Sequence, residues 1–394
     1  MAARKERLKT WPSQTGMVRV VWITILAAIL LVSAPAAAVD IAKIAEAPPE
    51  LLECIAQKMG SDLVADILEG NPPTDKKSRR RLEKTYERCA IRTGATVPKD
   101  ITPYRGPLFD AMSQIDETVD HDAAIARVRT SGVNRIALFA RSRKGLHQHE
   151  REVLTLARKN PDLIVLGAPK FFRLSGDLTE AFITATVQGI QRHGYRFIGE
   201  ILYTHGDKKS GKRYPSGERY IDPSKPGTTE TDLLTAIASL HIPLMTHWEP
   251  YAPERDFPRF HDLYDAWPEQ IFIVPHMGFA SPEQVEQFMG RHPNLYMVIS
   301  KKDRRMEDFA DPGKQASIGT AFLDGFRLRS QWREILVTYQ DRLLFGTDPH
   351  MKKLWERYPI TIKSQRLVLG QLPVEVAKNI AYKNAERLYG VTVK

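Results

Sequence analysis

The sequence predicts an α/β chain: a (β/α)8 TIM barrel preceded by an N-terminal disulfide-stapled helical hairpin. Three observations carry this. Eight short apolar runs alternate with amphipathic segments between residues 101 and 394, within the usual span of such a barrel. No Gly-rich phosphate turn follows the first run, which disfavours a doubly wound open sheet. Two cysteines lie on either side of a sharp break at Asn71-Pro72. The 394 residues are 42% hydrophobic and 26% charged, which excludes a disordered or fibrous chain and leaves ample material for one large core.

Residues 1–38 read as an export signal. Arg4, Lys5, Arg7, Lys9 and Arg19 form a basic leader, and Val20 to Ala38 is an apolar run ending in small residues. Ala36-Ala37-Ala38 is an A-x-A site, so cleavage before Val39 is expected. The rival reading is an uncleaved inner-membrane anchor, because the run is about long enough to span a bilayer. Pro35 and the small residues favour cleavage. Either way the folded part is expected in the periplasm or outside the cell, and membrane contact is expected only if the segment stays attached. Removing the leader takes five basic residues and one acidic residue, lowering the formal charge from +10 to +6.

Residues 39–100 are expected to form a helical hairpin and connector. Leu51, Leu52, Ile55, Met59, Leu63, Val64, Ile67 and Leu68 recur at helical spacing over Pro49–Glu69. Gly70-Asn71-Pro72-Pro73 ends that helix, and Thr74-Asp75 can cap a second over Lys76–Ile91. Cys54 and Cys89 are nearly equidistant from the break, so an antiparallel pair brings them level. In an oxidising compartment they should form a disulfide worth about 2–4 kcal/mol.

The strand expectations over 101–394 are Leu108–Ile115, Arg135–Ala140, Leu163–Ala168, Phe197–Tyr203, Pro243–Trp248, Ile271–His276, Leu295–Ser300 and Leu343–Thr347. The helical ones are Asp122–Ser131, His149–Asn160, Thr179–His193, Thr229–His241, Pro282–His292 and Gly319–Tyr339. In such a barrel, chemistry belongs where strands end. The ends carry Met112 and Gln114 (strand one), Arg141 (two), Lys170 (three), and Glu200, Tyr203 and His205 (four). They continue with His247 (five), His276 (six), Ser300 (seven), and Asp348 and His350 (eight). Any one histidine is an ordinary core or surface residue; coincident ligands closing strands four, five, six and eight point to a metal or acid–base site.

The segments THWEP, VPHMG and LLFGTDPH, with the closing stretch from Asn379 through NAERLYG to Gly390, resemble the amidohydrolase superfamily, specifically its amidohydrolase-related branch of hydrolases and decarboxylases. The likeness covers roughly residues 105–392, and none is visible in the hairpin. In that branch a His-x-His pair on strand one binds metal; here Met112 and Gln114 stand there, and a thioether and an amide are poor zinc ligands. Some deacetylase-like members lack the pair and hold one ion with a carboxylate and the histidines of strands five and six. That precedent implies one divalent ion, zinc, on Glu200, His247 and His276, with Asp348 as base. His276 would also handle protons. Tyr203, His205, Arg141 and Lys170 are expected substrate contacts. Hydrolysis of an ester, lactone or amide follows. Two alternatives stay open: a metal-independent lactonase, or a catalytically degraded barrel that binds an anionic ligand or partner protein.

Basic residues recur in the loops after the strands, including Arg143, Lys144, Arg173, Lys208, Lys209, Lys301 and Lys302. Collected on one rim they would focus positive potential and favour an anionic small-molecule substrate. Nucleic acid is not expected, because no reading motif accompanies the charge. The long segment Gly206–Gly227 is read as a candidate lid or a surface insertion. A homo-oligomer is compatible with the sequence, which does not fix the oligomeric state.

Overall fold

The structure is a computed structural model. It describes residues 42–45, 47, 49–93, 98, 100–142, 146–171, 180–202, 204–207, 212–218, 229–248, 253–300, 322–324 and 326–393. The expected leader lies outside these residues. Among the described residues no helix is long and apolar enough to cross a membrane.

The first expected helix is two, α1 (Pro49–Met59) and α2 (Ser61–Leu68). Gly60 separates them with a φ of 103°, a conformation open to glycine and strained for other residues. Apolar spacing continues across the break, so periodicity alone hides it. The second helix, α3 (Lys76–Thr93), begins where Asp75 Oδ1 accepts from Ser78 N at 2.8 Å. Cys54 and Cys89 are joined by a disulfide with their Cα atoms 5.6 Å apart, and both are fully buried. The predicted staple is present.

Eight barrel strands follow: β1 (Phe109–Ile115), β2 (Arg135–Ser142), β3 (Ile164–Leu166), β4 (Ile198–Leu202), β5 (Leu244–His247), β6 (Phe272–Val274), β7 (Leu295–Val298) and β8 (Leu343–Leu344). The intervening helices are α4 (His121–Thr130), α5 (Leu146–Lys159), α6 (Glu180–His193), α7 (Thr229–Ala238), α8 (Pro253–Ala266), α9 (Pro282–Arg291) and α10 (Ser330–Thr338). After β8 come α11 (Tyr358–Gly370) and α12 (Asn384–Tyr389).

Three segments depart from expectation. Helix α8 adds to the expected set; Pro258 lies inside it and interrupts the apolar pattern in the sequence. Only Ser330–Thr338 of the expected Gly319–Tyr339 helix is described as helical; before it, Leu323–Asp324 pairs antiparallel with Arg327–Leu328. The sequence there, Leu-Asp-Gly-Phe-Arg-Leu, has Asp-Gly turn chemistry that competes with helix. In the long segment after β4, Thr204–Asp207 pairs antiparallel with Lys212–Glu218.

Parallel pairing runs β1–β2–β3 in one sheet and β8–β7–β6–β5–β4 in another. A bridge between Ala168 and Ile198 joins the continuation of β3 to β4. At the other seam Phe345, just past β8, accepts from Ala111 N at 2.9 Å, and Asp348 N donates to Met112 O at 2.9 Å. Hydrogen bonds at these two seams, not one uninterrupted ladder, complete the ring.

Side-chain alternation matches that ring. Ala111, Ala137, Val165, Met245, Ile273, Val298 and Leu344 share one buried cluster, with Phe109, Phe139 and Phe197. Their strand neighbours Ile136, Leu138, Ile164, Leu244, Phe272 and Leu343 join the larger cluster packed against the helices. Strands buried on both faces therefore read as apolar runs, as in a barrel. The tail explains its motif physically. Asn384 Nδ2 donates to Leu343 O at 2.8 Å, and Tyr389 Oη donates to Ala111 O at 3.0 Å while its ring meets Phe109 and Phe197. Ile91 and Ile101 pack with Leu367 of α11, and Lys363 Nζ donates to Arg92 O at 2.6 Å, tying the hairpin's second helix to the barrel's outer layer.

Candidate active site

The carboxyl ends of the strands bring Gln114, Lys170, Glu200, His247, His276, Ser300 and Asp348 together, all buried. Glu200 is aimed by a register irregularity between Ile198 and Ile201, where Gly199 leaves room: an added Cβ would lie 2.7 Å from Ala168 O. His247 ends β5, and its Nδ1 is 2.6 Å from Glu200 Oε1. His276 follows β6; its Nε2 is 4.0 Å from Glu200 Oε1 and 3.3 Å from Asp348 Oδ2. Ser300 holds the other edge of that ring, contacting Nδ1 and accepting from His276 N at 3.1 Å.

The carboxylates divide their oxygens between two directions. Gln114 Nε2 donates to Glu200 Oε2 at 3.0 Å and to Asp348 Oδ1 at 2.7 Å. Two carboxylates can share only the NH2 end of an amide, so its orientation is settled by its neighbours. Lys170 Nζ also donates to Glu200 Oε2. The outer oxygens are thus held by donors, while Glu200 Oε1 and Asp348 Oδ2 turn toward the two imidazoles. Burial would raise the Glu200 carboxyl, but the Lys170 ammonium and then His247 hold it well below the usual range.

Backbone conformation is unusual at these residues. His276, Met277 and Phe279 have φ of 57°, 51° and 52°, and Asp348 has 50°. For residues with a Cβ the left-handed region costs roughly 1–2 kcal/mol each. Gly278 between them leaves no room for a side chain: an added Cβ would lie 2.6 Å from the Trp248 ring. Such conformations persist where the surrounding structure enforces them, and they gather at functional sites.

The donor set fits one divalent ion. Glu200, His247 and His276 each offer an atom, all within 4.8 Å of one another. Two imidazoles and a carboxylate are a normal catalytic zinc shell. Tetrahedral zinc bonds near 2.0–2.1 Å would space its ligands roughly 3.3 Å apart. The His276–Glu200 separation of 4.0 Å would have to close slightly, and the His247–Glu200 contact of 2.6 Å to open slightly.

The expected site residues fall into three groups. Glu200, His247, His276 and Asp348 converge. Lys170, expected to reach substrate, is buried on Glu200, and Arg141 is buried at the end of β2 with Nη1 3.4 Å from His350 O. Tyr203 and the side chain of His205 lie outside the described residues, as do Arg143, Lys144, Arg173, Lys208, Lys209, Lys301 and Lys302. Sequence reasoning set Gln114 aside as a poor ligand and missed it as a clamp; its place on strand one, opposite two carboxylate-bearing strands, was the available signal. In the sequence Ser300 is only a strand end.

The amidohydrolase family model matches residues 96–391. Among curated proteins no relative matches. Among solved structures, the chain is similar to a TIM-barrel protein of uncharacterised function from Bordetella bronchiseptica, with 13% identity, a TM-score of 0.45, and coverage of 72% of this chain and 99% of that one. It is similar to dihydroorotase from Saccharomyces cerevisiae, crystallised with 5-fluoroorotic acid, at 13% identity and TM-score 0.47, covering 73% and 85%. It is also similar to a mutant organophosphorus hydrolase from Deinococcus radiodurans, at 15% identity and TM-score 0.41, covering 76% and 96%.

Proposed function

The chain belongs to the amidohydrolase family, and on that premise we propose that it is an exported, zinc-dependent hydrolase that cleaves an ester, lactone or amide of an anionic small molecule. The observation that carries the reading is the division of oxygens at the barrel mouth. Gln114 and Lys170 restrain the outer carboxylate oxygens, so Glu200 Oε1 and Asp348 Oδ2 face His247 and His276.

Glu200, His247 and His276 would hold the ion. Bound there, it would polarise the substrate carbonyl and acidify water in the pocket. Asp348 takes the proton from attacking water at Oδ2, within 3.3 Å of His276 Nε2 and 3.4 Å of His350 Nδ1. His350 is the more exposed of the two histidines, at 19%, and so passes the proton outward. Arg141 and the basic loops after the strands support an anionic substrate. The disulfide supports export, since such bonds persist in oxidising compartments.

The Lys170–Glu200 ion pair favours one second reading, hydrolysis without metal, in which the ammonium supplies the positive charge beside the carbonyl. One experiment separates them. The mature chain is assayed on a panel of carboxylated lactones, aryl esters and N-acyl compounds, before and after chelation, alongside His247→Ala/His276→Ala. Activity lost on chelation, restored by zinc and absent in the double variant supports the proposal. Full activity after chelation supports the second reading, and activity surviving in the double variant refutes both site assignments.

A further inference from the structure

A second set of ligating side chains, sharing no residue with the first, converges where β1 leaves the barrel. His121 opens α4, His149 lies in the first turn of α5, and Glu152 follows three residues later on the same face. Each offers an atom, and the three atoms lie within 4.8 Å of one another. The imidazole centroids are 5.3 Å apart.

A main-chain carbonyl at the strand exit orients the His149 ring, whose Nε2 is 2.8 Å from Ile115 O. A carbonyl can only accept, so His149 Nε2 carries the hydrogen. In a neutral ring Nδ1 then keeps its lone pair. That nitrogen lies 3.1 Å from Glu152 Oε2. A lone pair facing a carboxylate oxygen at this distance is repulsive unless a proton shared by the pair or a metal ion joins them. The His121 ring beside the pair favours the ion, because a second imidazole adds a third ligand that a metal can use and a single shared proton cannot. Imidazoles that donate their far N–H to a backbone carbonyl are also the usual arrangement of metal-bound histidine.

We propose that His121, His149 and Glu152 form a second divalent-metal site, of the zinc class, that pins α4 and α5 to the exit of β1. His149 is 3% exposed, so the site is anchored from within, while the Glu152 side chain is 49% exposed and gives the ion a path from solvent. Two imidazoles and a carboxylate with a remaining water position suit zinc or cobalt over calcium or magnesium. Ile115, whose carbonyl holds His149, directly follows Gln114. The ion would therefore stiffen the strand end carrying the active-site clamp.

The test uses the untagged full chain, stripped with chelator and titrated with Co2+. His247→Ala/His276→Ala isolates the second site from the active site. It is expected to bind one equivalent with a visible d–d spectrum, and Zn2+ should displace it. Adding His121→Asn and Glu152→Gln should abolish that equivalent, and Glu152→Gln alone should weaken it at least tenfold. Zn2+ should raise the melting temperature of the active-site double variant but not of the quadruple variant. No Co2+ binding by the double variant, or binding unaffected by Glu152→Gln, overturns the proposal. So does a 15N spectrum showing His149 as imidazolium at pH 7 with saturating Zn2+, which would make the contact an ordinary ion pair.

Discussion

Gln114→Leu removes the clamp while nearly preserving its volume, and its consequence can be worked from the hydrogen bonds. Gln114 Nε2 donates at 3.0 Å to Glu200 and at 2.7 Å to Asp348, and the residue is 2% exposed. Hydrogen bonds to charged groups contribute about 1.5–3 kcal/mol each. Glu200 Oε2 keeps Lys170, so the loss there falls at the low end; Asp348 Oδ1 bears the larger loss. One term opposes these. Gln114 Oε1 is buried with no hydrogen-bond partner among the described residues, and leucine removes that unsatisfied acceptor, recovering about 1–2 kcal/mol. The net expectation is destabilisation of about 2–3 kcal/mol, read from urea unfolding at constant m-value. Zinc affinity should fall ten- to a hundredfold, the usual effect of removing a residue that orients a ligand. Gln114→Glu provides the electrostatic control. A third carboxyl between two others should have a folded pKa above its unfolded value, so its stability is greatest at low pH and is lost as pH rises through the folded pKa. A Gln114→Leu change below about 0.5 kcal/mol with unaltered zinc affinity would refute the clamp.

Two further substitutions test the frame around the site. Burial raises the Asp110 carboxyl to about 6, against hydrogen bonds from Thr347, Met112, Tyr358 and Ser113. Its folded pKa exceeds the unfolded 3.8, so its contribution is present below that value and lost as pH rises toward 6, by about 3 kcal/mol in all. The stability of the wild type relative to Asp110→Asn should therefore be about 2.4 kcal/mol greater at pH 4 than at pH 7; a difference independent of pH would show that the group titrates alike in both states. Gly278→Ala places a Cβ 2.6 Å from Trp248 at a φ of 64°, and should destabilise by at least about 2 kcal/mol while shifting the near-ultraviolet Trp signal. An unchanged unfolding midpoint would mean that the left-handed turn after His276 is not enforced by Trp248.

The barrel strands were legible because a strand buried on both faces must be apolar throughout. β1 is buried along its whole length, and the expected Leu108–Ile115 differs from it by one residue. The hairpin staple was legible because two cysteines equidistant from a break have few other solutions. What escaped had local chemistry at odds with its surroundings. Pro258 inside α8 and Gly60 between α1 and α2 act on the backbone, which apolar spacing does not report. Gln114 escaped for a different reason. Its partners lie 86 and 234 positions away, so its role exists only once the ring brings the end of β1 within reach of the ends of β4 and β8. Judged by residue type alone it is a failed ligand; judged by its contacts it orients two carboxylates. His121, His149 and Glu152 were hidden likewise, since on a helical pattern they read as ordinary surface positions.

Charge at the barrel mouth bears on how many ions the site is built for. Glu200 and Asp348 bring two formal negative charges into a buried space, and Lys170 returns one positive charge through its contact with Glu200. The imidazoles of His247 and His276, acting as ligands, are neutral. One divalent ion would leave a single net positive charge, which an anionic substrate neutralises on entering. Two ions would leave three positive charges around a buried ammonium with no further carboxylate from strand one to offset them. The replacement of imidazole by Met112 and Gln114 points the same way. Met112 joins the apolar barrel interior, and Gln114 presents a donor where a second ion would need a lone pair. On the proposed reading, Met112 and Gln114 in place of that pair and the Lys170–Glu200 contact would act together, giving a site for a single ion with its residual charge matched to an acid.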